Sequence, residues 1–525
     1  MTGIAVVGHC LRLVISDTML PLQIPGDYIM QAQFLLSILA TAACLSAQGD
    51  FDFDKVTPGT LGGTLILAVE NAPASMPLLG MVSATAGPTP IALLDPADTR
   101  SLAVGTDLLS NWLFQMTSAT GTSTLSVPLP NLPSVQGFVL HWQAATLPGA
   151  TTLFDQISNP VKTHHVQVQT SAALPTPLLT ARPAATVCAT PTRPGGGDFL
   201  LISGGTSEFF NFRTLDSEAG PAVSAPAALY AAATLNDGRV MFTGGIDGTG
   251  VTTTACEIYD PVSNTFSAAA AMPNPRAGHA AATLVDGRVM IVGGTSNFTD
   301  LTTAIAGVSN KMYLYDPVAD SWSNGPNIGG RRLVPALSRL SNGMMMVSGG
   351  IQATVLFGIP IAVTSTNKAQ RYNPSTNSWS NAPNMPSGRA YHHDNQVALA
   401  DGRLMLAGGV LVPSLLNVVN AASIAGADIY DPVANSWQAT TMLHARTGHS
   451  ATQLPSGDVV VCGGSEGLLT AAVGLDAVSM FDPVSSTWTA IAPMVEVRTG
   501  HTARVLPDGS LVLLGPGTSG EAMHF

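Results

Sequence analysis

One spacing recurs along most of this chain and limits what it can fold into. A tyrosine or phenylalanine is followed seven residues later by a second large aromatic: Tyr259/Phe266, Tyr315/Trp322, Tyr372/Trp379, Tyr430/Trp437 and Phe481/Trp488. Four of the first partners precede Asp-Pro (Asp260, Asp316, Asp431, Asp482), and one precedes Asn373-Pro374. Upstream of each, an apolar run closes on two glycines: Gly204-Gly205, Gly244-Gly245, Gly293-Gly294, Gly349-Gly350, Gly408-Gly409 and Gly463-Gly464, with Gly515-Pro516-Gly517 as a degenerate copy. Successive pairs lie 40 to 59 residues apart, within the range of radially repeated β-units.

Each unit reads as short buried strands joined by tight turns. Runs such as Val459-Val460-Val461-Cys462 are buried strands. Asp-Pro-x-x-Asn is turn chemistry, because Pro presets φ and Asn tolerates the left-handed region. The glycine pair ends a strand where backbones crowd. One unit cannot bury both its faces, so four-stranded blades must stack radially. Inner strands begin near Ala184, Ala231, His279, Pro335, His392, His449 and His501, which counts seven blades.

This pattern resembles the kelch repeat over residues 165–525. The resemblance implies an all-β, seven-bladed kelch-type β-propeller. The chain ends shortly after an inner strand and its glycine turn, so the last blade lacks an outer strand. The segment near 166–174 precedes the first inner strand and is expected to supply it, closing the ring.

Residues 48–160 carry no repeat. Thr64–Val69, Thr124–Val127 and Gly137–Trp142 read as strands between Pro and Gly clusters. They predict a small β-sandwich-like domain ahead of the propeller. Before it, Phe34 to Cys44 is an apolar run of eleven. That is shorter than the roughly 20 residues a membrane helix needs and fits a signal-peptide core, so 1–47 reads as an export region. No transmembrane helix is expected. The expected location is secreted, periplasmic or at the cell surface, and the expected state is a monomer.

Charged residues make up 10% of the chain, and the net charge is −12. That balance argues against nucleic acid as a partner. Of five cysteines, Cys188, Cys256 and Cys462 follow the export segment. They are odd in number and sit in strand-like runs, so they read as buried small hydrophobes rather than a disulfide framework.

The crossovers between blades carry Arg-x-x-His or its relics, and loops alternate faces in a four-stranded meander. Arg182, Arg276, Arg332, Arg389, Arg446 and Arg498 therefore fall on one face. Two readings stand: repeated local hydrogen bonds, or a ring of cations at a channel mouth that grips an anionic or hydroxyl-rich ligand. The same face carries long apolar loops at 355–363 and 410–419, read as hairpins packed on one another or as a contact surface. Blade five departs from the repeat: Tyr391-His392-His393 stands where blades three, six and seven have Gly before His.

The segment Arg389-Ala390-Tyr391-His392 is similar to the Tyr-His strand of galactose oxidase and its copper-radical relatives. That resemblance implies a second candidate set, with Cys188 and Tyr230 as a cross-linked pair and Tyr391 and His392 as copper ligands. Two departures weigh against it. Tyr230 occupies the His slot of the repeat, and the family's second histidine lies beyond Phe525. The leading expectation is a non-enzymatic binding or structural protein for carbohydrate or protein, without a cofactor. The alternative is a copper-dependent oxidase of carbohydrates or alcohols.

Overall fold

The computed structural model describes residues 51–525 apart from 108–111, 149–150, 175–177, 182–185, 191–197, 204, 224–226, 357–358, 393–395 and 415–419. The expected export segment lies outside the described residues. So does Arg182. No described helix is long and apolar enough to cross a membrane.

Among the described residues, seven antiparallel meanders of four strands follow one another. Blade three is representative: Ala277–Thr283, Val289–Thr295, Met312–Asp316 and Ser321–Asn324 pair in that order. Its second strand is buried along its whole length, as expected of a run with neighbours on both faces. Blade seven is composite. Thr502–Val505, Leu511–Leu514 and Gly520–Met523 come from the end of the chain, and Ser171–Ala173 pairs antiparallel with the last of them (Ala172 opposite Ala522). The expected closing strand is thus found, five residues later than the start of the predicted segment.

Blade packing shows why the aromatic spacing recurs. Tyr315 and Trp322 are cross-strand partners in blade three, with ring centroids 5.1 Å apart. Tyr315 packs into a core shared with Met241 and Ile258 of blade two, and Trp322 donates its indole N–H to the Ala270 carbonyl of that blade. Tyr372/Trp379 and Tyr430/Trp437 repeat this on their own preceding blades. The tyrosine hydroxyl meets the side chain five residues on, as Tyr430 does Asn435 at 2.7 Å. Asn435 sits at φ 48°, the left-handed turn position that asparagine tolerates. The last junction closes the circle, since Leu506 and Val512 of blade seven share a core with Leu201 and Phe210 of blade one.

The N-terminal part is a β-sandwich. One sheet pairs Asp52–Lys55, Thr64–Glu70 and Ser123–Pro128. The other orders Gly59–Thr60, Val161–Val166, Val139–Thr146, Pro77–Ser83 and Leu113–Met116. Phe53, Leu65 and Leu67 of the first sheet pack on Leu78, Trp142 and Val161 of the second. Val161–Val166, lying across the boundary expected at 160–165, is thus a strand of the sandwich. Its short run of residues suits either part, and pairing with Val139–Thr146 decides between them.

Candidate functional site

The glycine pair and the crossover arginine form one device. In blade six the Arg446 guanidinium donates to the carbonyls of Gly463 (2.9 Å) and Ala477 (2.6 Å) and to the Ser479 hydroxyl (3.1 Å). Its own carbonyl accepts from the Gly409 N–H of blade five at 2.9 Å. Each arginine thus ties its blade internally through its side chain and to the preceding blade through its backbone. The approach explains the glycine: a Cβ on Gly408 would lie 2.6 Å from the Arg446 carbonyl oxygen and 2.6 Å from the His449 ring. Arg276, Arg332, Arg389 and Arg498 repeat the clamp on Gly293, Gly349, Gly408 and Gly515.

These five side chains are at most 2% exposed. The expected ring of ligand-facing cations is therefore corrected: the guanidinium groups point into the blades, where carbonyl oxygens need donors and water is excluded. Two also neutralise buried carboxylates. Arg389 is 2.6 Å from Asp428, and Arg498 is 2.7 Å from Glu521. Arg276 lies over the Tyr313 ring at 4.7 Å. Burial alone pulls Arg332 down to about 10, so it remains a cation at neutral pH.

The crossover histidines are internal as well. His279 Nε2 lies 2.8 Å from the Thr243 hydroxyl, His392 Nε2 3.2 Å from Ser348 and His501 Nε2 2.9 Å from Ser450. Burial holds His279, His449 and His501 down to about 3, so all three are neutral near pH 7.

Between arginine and histidine lies the position that faces the axis. It is left-handed in every blade from two to seven: Leu229 (φ 53°), Gly278 (60°), Val334 (45°), Tyr391 (53°), Gly448 (63°) and Gly500 (72°). Backbone bonds run laterally between these residues, from Gly278 N–H to the Leu229 carbonyl, Val334 to Gly278 and Gly500 to Gly448. Leu229, Gly278, Val334 and Tyr391 lie on the rim of a cavity of about 500 Å³, lined by inner strands of blades two to seven. The wall is mostly small, with Ala231, Ala233, Ala280, Ala281, Ala451 and Ala503.

Three rim positions carry side chains where glycine would be unstrained. A left-handed L-residue costs about 1–2 kcal/mol, and Val334 adds β-branching. Val334 is 6% exposed, whereas Leu229 and Tyr391 are 38% and 39% exposed. Tyr391 was singled out by sequence; Leu229 and Val334 were not. The available signal was a non-glycine at the glycine slot. The surroundings of the Tyr391 phenol raise it above its ordinary value through desolvation.

A layer of loops surrounds this rim. Strands Ile351–Leu356 and Ile359–Ser365 form a hairpin. Ala353 and Val363 of the hairpin share a core with Leu333, Val334, Ala390, Val410 and Val412. The described ends of the two apolar loops, at Val363 and at Val410 and Val412, therefore share a core that buttresses Val334.

Among the described residues, the copper reading finds no assembled donor set. Tyr230 donates its hydroxyl to the Ile202 carbonyl at 3.0 Å, and the His392 imidazole is fully buried against Ser348. Cys188 falls in the strand Thr186–Thr190, and its side chain lies outside the described residues, as does His393. No group of three or more His, Cys, Asp or Glu side chains among the described residues is arranged to hold a metal ion. The residues described do not fit a copper centre.

No curated protein sequence matches the chain. Among solved structures, a fungal alcohol oxidase of the AA5 family in complex with copper is similar at 17% identity. It covers 67% of this chain and 75% of its own, with a TM-score of 0.49. The Kelch motif model matches residues 275–329 and 336–386, which are blades three and four. The same glycine pair, aromatic pair and arginine clamp recur in the blades around them, and so the chain carries kelch repeats on an all-β propeller.

Proposed function

We propose that this protein is a non-enzymatic binding protein whose ligand seats in the channel mouth against Tyr391. The observation that carries this reading is the strained, partly exposed tyrosine of blade five, at a rim position where blades three, six and seven have glycine. Backbone strain retained at the rim of a cavity is a mark of function. A half-exposed phenol ring offers both an apolar face and a hydroxyl, which suits a hydroxyl-rich ligand such as a carbohydrate. The burial of the clamp arginines removes the main reason to expect an anionic one. The eleven-residue apolar run near the start of the chain favours an exported protein, for which an extracellular glycan is a natural ligand.

The test is Tyr391→Gly. It installs the glycine that blades three, six and seven have there, so folding stability should hold or rise by about 1 kcal/mol. Binding to a glycan array should be lost. Unchanged glycan binding refutes the assignment. Copper analysis of the purified protein separates this reading from the oxidase, since stoichiometric bound copper would overturn it.

A further inference from the structure

Outside the channel, a group of five buried ionisable side chains lies where the sandwich meets the ring. Lys55, His164 and His165 come from the sandwich, and Asp508 and His524 from blade seven; none is more than 8% exposed. Lys55 Nζ is 2.9 Å from the Asp508 carboxylate. Asp508 occupies the Asp-Gly turn of the repeat. In blades two, three and five that aspartate pairs with an arginine two residues on (Asp237/Arg239, Asp286/Arg288, Asp401/Arg403). Blade seven has Ser510 there, and the sandwich supplies the missing cation.

The same joint holds the seam. The His524 carbonyl accepts from the Gln169 N–H at 2.7 Å, and its ring nitrogen lies 3.3 Å from the Thr60 hydroxyl. His165 contacts Thr163 at 3.1 Å. His164 and His165 lie in Val161–Val166, which a short turn joins to the closing strand Ser171–Ala173. Farther out, Lys162 pairs with Asp216 and Arg213 with Asp54. Sandwich, closing strand and chain end are thus held through one buried polar cluster.

We propose that this joint is an acid-released latch: protonation of His164, His165 and His524 beside the buried Lys55–Asp508 pair undocks the sandwich and frees the closing strand of the ring. With neutral imidazoles, the ammonium and the carboxylate cancel. Three added protons leave a net charge of about +3 among side chains no more than 8% exposed, with Asp508 as the opposing carboxylate of the group. Burial and the nearby Lys55 hold His164 and His165 down to about 4 and His524 to about 3. Depressed histidines stabilise the closed joint fully above about pH 6.5. That stability is lost as pH falls from there toward 4, because the open joint takes up the protons. The imidazoles of the other blades sit within blade junctions, so their protonation weakens the ring generally rather than at the seam.

Hydrogen exchange of the full chain, corrected for intrinsic rates, tests this between pH 7.5 and pH 5. Amides in 161–166, 171–173 and 520–523 should lose protection by at least about tenfold, ahead of 289–295 and 345–348 in blades three and four. Equal loss everywhere, or none at the seam, overturns the proposal. The triple variant His164→Asn, His165→Asn, His524→Gln should flatten the seam's response. Should it fail to fold, His524→Gln alone should reduce that response by several-fold. A seam response undiminished in a folded variant overturns the proposal as well.

Discussion

Replacing Arg446 and Arg498 separately by methionine distinguishes an internal clamp from a surface cation. Arg446 gives three hydrogen bonds, two of them buried, to Gly463 and Ser479, and one part-buried, to Ala477. Bonds from a charged donor contribute about 1.5–3 kcal/mol each. Methionine also removes the guanidinium's desolvation, which offsets much of that sum, so a net loss of about 2–3 kcal/mol is expected. Arg498 likewise holds two carbonyls, of Gly515 and Ser519, and in addition faces Glu521, whose side chain is fully buried. Glu521 keeps the backbone N–H groups of Val495 and Glu496 as donors but loses the Arg498 guanidinium. Breaking a buried pair costs about 3–5 kcal/mol. Arg498→Met should therefore exceed Arg446→Met by about 1–2 kcal/mol, and Glu521→Gln added to it should recover most of the difference. Urea unfolding at pH 7.5, followed by tryptophan fluorescence and circular dichroism, reads all three. Two arginine variants within about 0.5 kcal/mol of wild type, or no recovery with Glu521→Gln, would refute the clamp.

Other outcomes follow from the same contacts. Trp437→Ala should cost about 2–3 kcal/mol in urea unfolding, below the range for a fully buried aromatic, because the ring is half-buried yet stacks 4.9 Å from Tyr430. Gly463→Ala should cost more than about 2 kcal/mol, since its φ is 59° and the new Cβ would lie 2.5 Å from the Arg498 carbonyl; a folded protein of wild-type midpoint would contradict it. The urea midpoint should fall as pH drops from 6.5 toward 5, because His279, His449 and His501, held at about 3, must take up protons on unfolding; a flat profile would place them in solvent. Removing residues 1–160 should give an aggregating product by size-exclusion chromatography, because Val161–Val166 then loses Val139–Thr146 and exposes a strand edge.

Much of the architecture was legible in the chain itself. The glycine pair, the turn and the paired aromatics report a local environment that recurs, and recurrence at a fixed period requires stacked units. The missing outer strand of the last blade could be inferred because a meander must close. The sandwich was legible only as a class: its strands could be picked out, but their order depends on partners far apart, as with Thr64–Glu70 beside Ser123–Pro128 and Gly59–Thr60 beside Val161–Val166.

The site divides along the same line. Repetition shows that Arg276, Arg332, Arg389, Arg446 and Arg498 share one environment; it does not show whether that environment is water or protein. The structure decides it, because each guanidinium meets carbonyls contributed by its blade's second strand and by the chain entering its third, residues 17 to 37 positions away. Tyr391 shows the converse. Its departure from the repeat is visible in the letters, but its left-handed backbone, its place on the rim and its half-exposed ring arise only when six crossovers converge around one axis. Sequence specifies what each blade does alone. Burial and strain at the centre belong to the ring, since no blade can create them without its neighbours.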